Sequence, residues 1–174
     1  MEQLTTERLI LRPPREEDAR VMFERWTQDP EVTRYLPWQP HASVAQTEAF
    51  VQGSIAAFAE GRRLPFVLTL QQDELPIGMI ELRFNEFSAD FGYVLARSFW
   101  GRGYMTEAAR ALVCHTLARP SIWRIWAVCD VDNLASARVL ERAGLQREGT
   151  VRRYIIHPSV SPEPRDVHLY ARVR

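Results

Sequence analysis

The stretch SFWGRGYMTEAAR, Ser98 to Arg110, sets Gly101 and Gly103 on either side of Arg102. A strand-like run, FGYVL, precedes it and a helix-like run, TEAARALVCHTLA, follows. A helix N-terminus carries free N–H groups and about half a positive charge. Glycines ahead of it let an anion approach those donors closely. Trp100, Gly101, Arg102, Gly103, Tyr104 and Met105 therefore read as a phosphate cradle, with Arg102 adding charge. The plainer alternative is a tight strand-to-helix turn with no ligand. Two better-known glycine loops do not fit. GxxxxGK[ST] requires a lysine, and the chain has none; GxGxxG lacks its third glycine here and would lie past mid-chain. A second constellation, Asp132-Asn133-Leu134-Ala135-Ser136, opens a helix that ends ERAGL. Read locally, Asn133 is a cap and Ser136 a first-turn residue.

Those residues need elements to hold them. Thr5 to Arg12 reads as a strand, with Leu9 and Leu11 alternating against Arg8, Ile10 and Arg12, and Pro13-Pro14 ends it. Glu16 to Thr27 reads as a helix with Ala19, Met22, Phe23 and Trp26 on one face. Asp29 to Ala42, which contains Tyr35, Leu36 and Trp38 among prolines, reads as an ordered loop or short helical turn. Ser43 caps a helix over Val44 to Glu60, closed by Gly61. Strands follow over Leu64 to Leu70, Pro76 to Phe84 and Asp90 to Leu95, then a helix over Thr106 to Ala118. Trp123 to Cys129 is strand-like, Asn133 to Ala143 is a helix stopped by Gly144, and Glu148 to Ile156 and Val167 to Val173 are final strands. The proline-rich HPSVSPEPRD between those two must be a loop. The order β-α-α-β-β-β-α-β-α-β-β predicts an α+β (mixed α/β) fold. Its central twisted sheet has six to seven strands, mostly antiparallel, with one βαβ crossover and about four flanking helices.

The composition bounds the function. One domain over residues 1–174 is expected, long enough to bury a core. Hydrophobic residues make up 46% and charged residues 25%, as in soluble globular proteins. The 22 basic residues balance the 22 acidic ones, so there is no electrostatic case for nucleic acid or an anionic membrane. All the basic residues are arginine, so the chain offers no side-chain ammonium of its own for acylation. No apolar run approaches the roughly 18 residues needed to span a bilayer. No signal peptide is read in MEQLTTERLIL. Cys114 and Cys129 lie in apolar patterns away from any CxxC spacing, which predicts buried, reduced thiols and a cytoplasmic setting. His41, His115, His157 and His168 show no metal spacing, and no metal is expected.

Five segments in this order carry a family resemblance: TERLILRP, IGMIELR, FGYVLARSFWGRGYMTEA, NLASARVLERAGL and RDVHLYA. Together they cover nearly the whole chain and resemble the GNAT superfamily of bacterial N-acetyltransferases, nearest the branch of ribosomal-protein N-terminal acetyltransferases (RimJ/RimL-like). The resemblance implies a sheet splayed in the middle and acetyl-CoA as cosubstrate. The pyrophosphate of coenzyme A would lie on backbone N–H groups of Trp100 to Met105. Ser98 stands where the wider family has Gln or Arg, a departure common in this branch. Leu95, Ala96 and Arg97 would pair with the pantetheine arm as an added strand, and the Leu95 amide would face the thioester oxygen. Asn133 would contact the cofactor.

The implied reaction is direct attack of a neutral amine on the thioester, with a base or water chain taking a proton. Many family members place a tyrosine acid in the last helix. That position is Leu140 here, which leaves Ser136, one turn earlier, as the candidate hydrogen-bond donor to the departing thiolate. Glu81 and Asp90 are the candidate bases; each also reads as a solvated strand residue. Tyr35, Trp38 and His157 would wall the acceptor site. The acceptor is expected to be a protein N-terminal amine or a small amine, with a homodimer implied only at family level. The alternative reading is a CoA- or acyl-CoA-binding module with weak or lost catalysis.

Overall fold

Thr6 divides the strand expected over Thr5 to Arg12. Its hydroxyl accepts from the Leu9 amide at 3.0 Å, turning the chain back between Leu4–Thr5 (β1) and Leu9–Arg12 (β2). The two pair antiparallel, Leu4 opposite Leu11. The computed structural model describes residues 3–61 and 63–174; Met1, Glu2 and Arg62, which the single-domain expectation includes, lie outside the described residues.

β2 does not present Arg12 to water as its alternation suggests. Arg12 is buried, and its guanidinium grips Asp18 through two bonds of 2.8 and 2.6 Å. Asp18 opens the first helix, Asp18–Met22 (α1), and also accepts from the Arg15 amide at 2.7 Å. The predicted helix over Glu16 to Thr27 is shorter than its apolar pattern. After Met22 the chain continues as a π-helical turn, Phe23–Thr27. A further short helix, Pro30–Thr33 (α2), is capped by Asp29, which accepts from the Glu31 amide at 2.9 Å. Val44–Glu60 (α3) has the expected Ser43 cap and ends at Gly61 with φ of 77°.

Arg63–Leu70 (β3), Pro76–Phe84 (β4) and Ser88–Leu95 (β5) form an antiparallel meander. A single 3-10 turn, Arg97–Phe99, leads into the glycine loop and Tyr104–Leu117 (α4). Arg124–Asp130 (β6), Leu134–Arg142 (α5), Gln146–Ile155 (β7) and Arg165–Val173 (β8) complete the chain. One eight-stranded sheet takes them all, in the order β1-β2-β3-β4-β5-β6-β8-β7. Among the described residues the expected six to seven strands become eight because of β1, and about four helices become five because of α2.

Among the described residues every pairing is antiparallel except that of β5 with β6, where α4 provides the crossover. That parallel ladder covers only Ser88 to Asp90 against Arg124 to Trp126. Beyond Asp90, β5 stays on β4 as far as Leu95, while β6 stays on β8 as far as Asp130. The two strands thus part in the middle of the sheet, at the ends where the glycine loop and α5 begin. Phe66, Leu68, Ile80, Leu82, Leu112, Val113 and Ile125 are fully buried in the core that holds this opening. Cys129 is buried as expected, but Cys114 is exposed: it falls on the outward side of α4, between the buried Val113 and Thr116.

Candidate active site

The glycine loop is built for close approach. Gly101 and Gly103 have φ of 74° and 80°, a region that side-chain-bearing residues rarely occupy. Gly103 is the N-cap of α4 and offers no side chain to its first turn. The leading N–H groups of a 14-residue helix are therefore left for an external acceptor. A Cβ at Gly101 would meet nothing within 4 Å, so the cradle is open to its surroundings. Backbone donors, a helix dipole and Arg102 suit a pyrophosphate.

A clamp from the N-terminal hairpin holds this loop. Glu107, in the first turn of α4, accepts from the Thr6 hydroxyl at 2.6 Å, the Arg8 amide at 2.9 Å and Arg8 Nε at 2.7 Å. Arg8 also reaches the Arg102 carbonyl at 3.1 Å and lies over the Tyr104 ring. Burial opposes ionisation of Glu107, but the bonds from Thr6 and Arg8 outweigh it and hold the carboxyl below its ordinary value. From its place alone, Glu107 is a carboxylate in a first helical turn, favourable to the helix dipole. Its partners lie about a hundred residues away.

Between β5 and the loop, the backbone acceptors are already used. The Leu95 carbonyl accepts from the Trp100 indole at 2.7 Å, and Ala96 and Arg97 carbonyls accept from Phe99 and Trp100 amides at 2.9 and 3.1 Å. The Ala96 amide donates to Ile77. Arg97 is tied to Asp29 at 3.2 Å. A partner adding itself along Leu95 to Arg97 meets acceptors that already carry one bond each.

At the opening between β5 and β6 the structure gathers a small polar cluster. The Asn133 side chain accepts from the Ser136 amide at 3.1 Å, the cap that the sequence suggested. The Ser136 hydroxyl lies 2.6 Å from that of Tyr93, which projects from β5. Cys129, from β6, is buried at the same opening. Burial pushes the Cys129 thiol up to about 11 and pushes the Tyr93 phenol higher than its ordinary value. Both therefore stay protonated at neutral pH. Tyr93 was missed in the sequence, where it reads as one more alternating residue of FGYVL. Leu140 is fully buried in the core.

Glu81 and Asp90 are not brought to that cluster. Glu81 pairs with Arg63 at 2.8 Å and Arg83 at 3.0 Å, and Arg83 Nε binds Asp90 at 2.7 Å. Glu81 stands opposite Gly92, and Arg83 opposite Asp90, so these residues share one face of the sheet. Tyr93, one position out of phase with Asp90 and Gly92, faces the other way.

Of the expected substrate wall, Tyr35 and His157 meet edge to face at 6.1 Å, whereas Trp38 lies against His41 at 5.0 Å. His157 is buried; among the described residues neither ring nitrogen has a hydrogen-bond partner, and Asp130 lies 3.6 Å away. Burial lowers its proton affinity despite the Asp130 charge, so the ring is neutral at pH 7. Asp130 is itself fully buried at the end of β6 and receives Arg165 at 2.6 and 2.9 Å and the Asp132 amide at 2.9 Å. Burial works against its charge, yet Arg165 and that amide hold the carboxyl below its ordinary value. This ion pair fixes the turn that leads from β6 to Asn133 and was not visible in the sequence.

Among the described residues no group of three or more His, Cys, Asp or Glu is placed to hold a metal ion, and no helix is long and apolar enough to cross a membrane.

The splayed sheet with an uncapped glycine turn beside the opening is the arrangement that the resemblance to acetyltransferases implied, and comparison with known proteins gives the class. The family model of the acetyltransferase (GNAT) domain matches residues 8–146. The uncharacterized N-acetyltransferase p20 of Bacillus licheniformis is 32% identical over 157 residues, 88% of each chain. The ribosomal-protein-serine acetyltransferase of Escherichia coli is 32% identical over 136 residues, 75% of this chain and 72% of that one. Among solved structures, RimL, a ribosomal L7/L12 α-N-protein acetyltransferase in complex with coenzyme A, superposes with a TM-score of 0.84 at 27% identity, covering 99% of this chain and 98% of that one. The chain belongs to the GNAT acetyltransferase family and is an enzyme of that class. Its acyl donor is acetyl-CoA, as is general for the family.

Proposed function

We propose that this enzyme acetylates the α-amine at the N-terminus of a peptide or protein, by direct attack of the neutral amine on acetyl-CoA. The observation that carries the transfer chemistry is the Ser136 hydroxyl at the parting of β5 and β6, on the same side of the sheet's ends as the uncapped first turn of α4. Trp100 to Met105 hold the pyrophosphate through backbone N–H groups, and Leu95, Ala96, Arg97 and Asn133 flank the rest of the cosubstrate. The thioester supplies an activated acetyl group. Ser136 donates a hydrogen bond to the thiolate as it leaves, which lowers the barrier without a formal proton transfer. Glu81 and Asp90 are occupied by Arg63 and Arg83, so the amine proton is assigned to water.

Tyr35 and His157 form the acceptor wall, held at its base by Asp130 and Arg165. A stiff, partly apolar wall suits a chain terminus better than a polyamine, which calls for several carboxylates. The similarity to a ribosomal-protein-serine acetyltransferase over three quarters of the chain supports the same acceptor class. One domain over residues 1–174 and a cytoplasmic setting complete the reading; two free thiols suit a reducing compartment. The test is a panel of short peptides with free N-termini alongside amino sugars, polyamines and free amino acids, followed by release of CoA. Peptides are expected to give the highest kcat/KM. Turnover confined to small metabolites would overturn the acceptor assignment, and no turnover with any amine would overturn the transferase mechanism.

A further inference from the structure

We infer that Tyr93 is a positioning residue for the reaction: it aims the Ser136 hydroxyl hydrogen into the gap between β5 and β6. The inference rests on the transferase reading above and deepens it. A serine hydroxyl has one hydrogen and two acceptor lone pairs, and it rotates to suit its neighbours. Ser136 has a phenol oxygen at 2.6 Å from β5. Burial keeps the phenol neutral, so it has a hydrogen to give. The Tyr93 hydroxyl is also placed to donate to the Ser136 carbonyl at 3.2 Å, the longer of its two contacts with Ser136. In a helix that carbonyl is already the acceptor for a residue one turn on.

With Tyr93 on its acceptor side, the hydroxyl has its own hydrogen left for another partner. The donating phenol also polarises the hydroxyl and makes it a better donor in turn. Packing holds the Tyr93 ring in the required place, stacked on Phe91 at 6.2 Å with planes 29° apart. A serine hydroxyl alone would spend part of its time turned toward other acceptors. Tyr93 removes that freedom.

Tyr93→Phe keeps the stacked ring and removes only the hydroxyl. It is compared with Ser136→Ala and the double variant in two assays. In steady-state acetyl transfer, Tyr93→Phe is expected to lower kcat by roughly five- to tenfold with KM for acetyl-CoA unchanged. In the Ser136→Ala background it is expected to cost nothing further, because there is no hydroxyl left to aim. In calorimetry above the thiol pKa, the wild type is expected to bind CoA more tightly than desulfo-CoA, and both single variants are expected to lose that preference to a similar degree. A merely structural role for Tyr93 would instead weaken both ligands alike. Unchanged kcat in Tyr93→Phe, losses that multiply with those of Ser136→Ala, or an intact CoA preference would each overturn the inference. If the wild type turns over no amine, the transferase mechanism fails, while the CoA and desulfo-CoA comparison still decides whether Tyr93 acts through Ser136.

Discussion

Arg165→Met should be among the most damaging single changes in this protein. Asp130 is fully buried, and its strongest partner is Arg165, through bonds of 2.6 and 2.9 Å. The substitution leaves a buried carboxylate with the Asp132 amide and a neutral His157 at 3.6 Å. Removing one partner of a buried ion pair costs about 3–5 kcal/mol. That is a large share of the roughly 5–15 kcal/mol that holds a domain folded. The pH dependence provides a sharper signature than the size. In the wild type the Asp130 carboxyl sits below its ordinary value, so its contribution is present above the unfolded pKa, near 3.9, and is lost as pH falls through the folded one. Without Arg165 the same burial raises the carboxyl instead. Protonation then favours the folded state, and the variant loses stability as pH rises through that raised value. The gap between the two proteins should therefore be widest near pH 7 and narrow toward pH 4. Urea unfolding at several pH values measures it. A gap below about 1 kcal/mol at pH 7, or one independent of pH, would refute the claim that Asp130 depends on Arg165 for its charge.

Gly103→Val forces a β-branched residue into φ of 80°, at a cost of about 1–2 kcal/mol, and distorts the first turn of α4. Acetyl-CoA affinity measured by calorimetry should fall at least about tenfold, the equivalent of roughly 1.4 kcal/mol. Ser136→Ala should lower kcat by about 10- to 100-fold, the worth of a hydrogen bond to a charged group, with little change in KM for acetyl-CoA in steady-state assays. Glu81→Gln should leave kcat/KM within about threefold of wild type across the pH profile, because Glu81 serves Arg63 and Arg83 rather than the amine. Loss of the alkaline rise in that profile would restore Glu81 as the base.

What the chain reveals in its sequence is what is local. Gly101 and Gly103 announce a turn into a helix, Ser43 and Asn133 announce caps, and Gly61 announces a stop; each acts within three or four residues. The hairpin order of β3, β4 and β5 and the crossover to β6 follow from alternation and loop length. The features that were hidden are those whose partners are distant. Tyr93 and Ser136 are 43 residues apart, Asp130 and Arg165 are 35 apart, and Thr6 and Glu107 are 101 apart. No residue pattern marks Tyr93 as different from Phe91, since both alternate on the same face. Arg12 looked solvated because its pairing with Asp18 depends on how α1 folds back on β2. The π-helical turn at Phe23–Thr27 interrupts an apolar pattern that is otherwise helical, and nothing in the residue types foretells it.

The central claim is that the glycine turn before α4 receives the pyrophosphate of acetyl-CoA. Thermal unfolding with and without acetyl-CoA, in the wild type and in Gly103→Val, tests it most directly. Ligand at 100 times its dissociation constant should stabilise the wild type by about 2.7 kcal/mol, a rise in Tm of roughly 5–10 °C for a chain of this length. The account predicts that rise in the wild type and its loss in Gly103→Val. No rise in the wild type at millimolar acetyl-CoA, or an equal rise in both proteins, would contradict it.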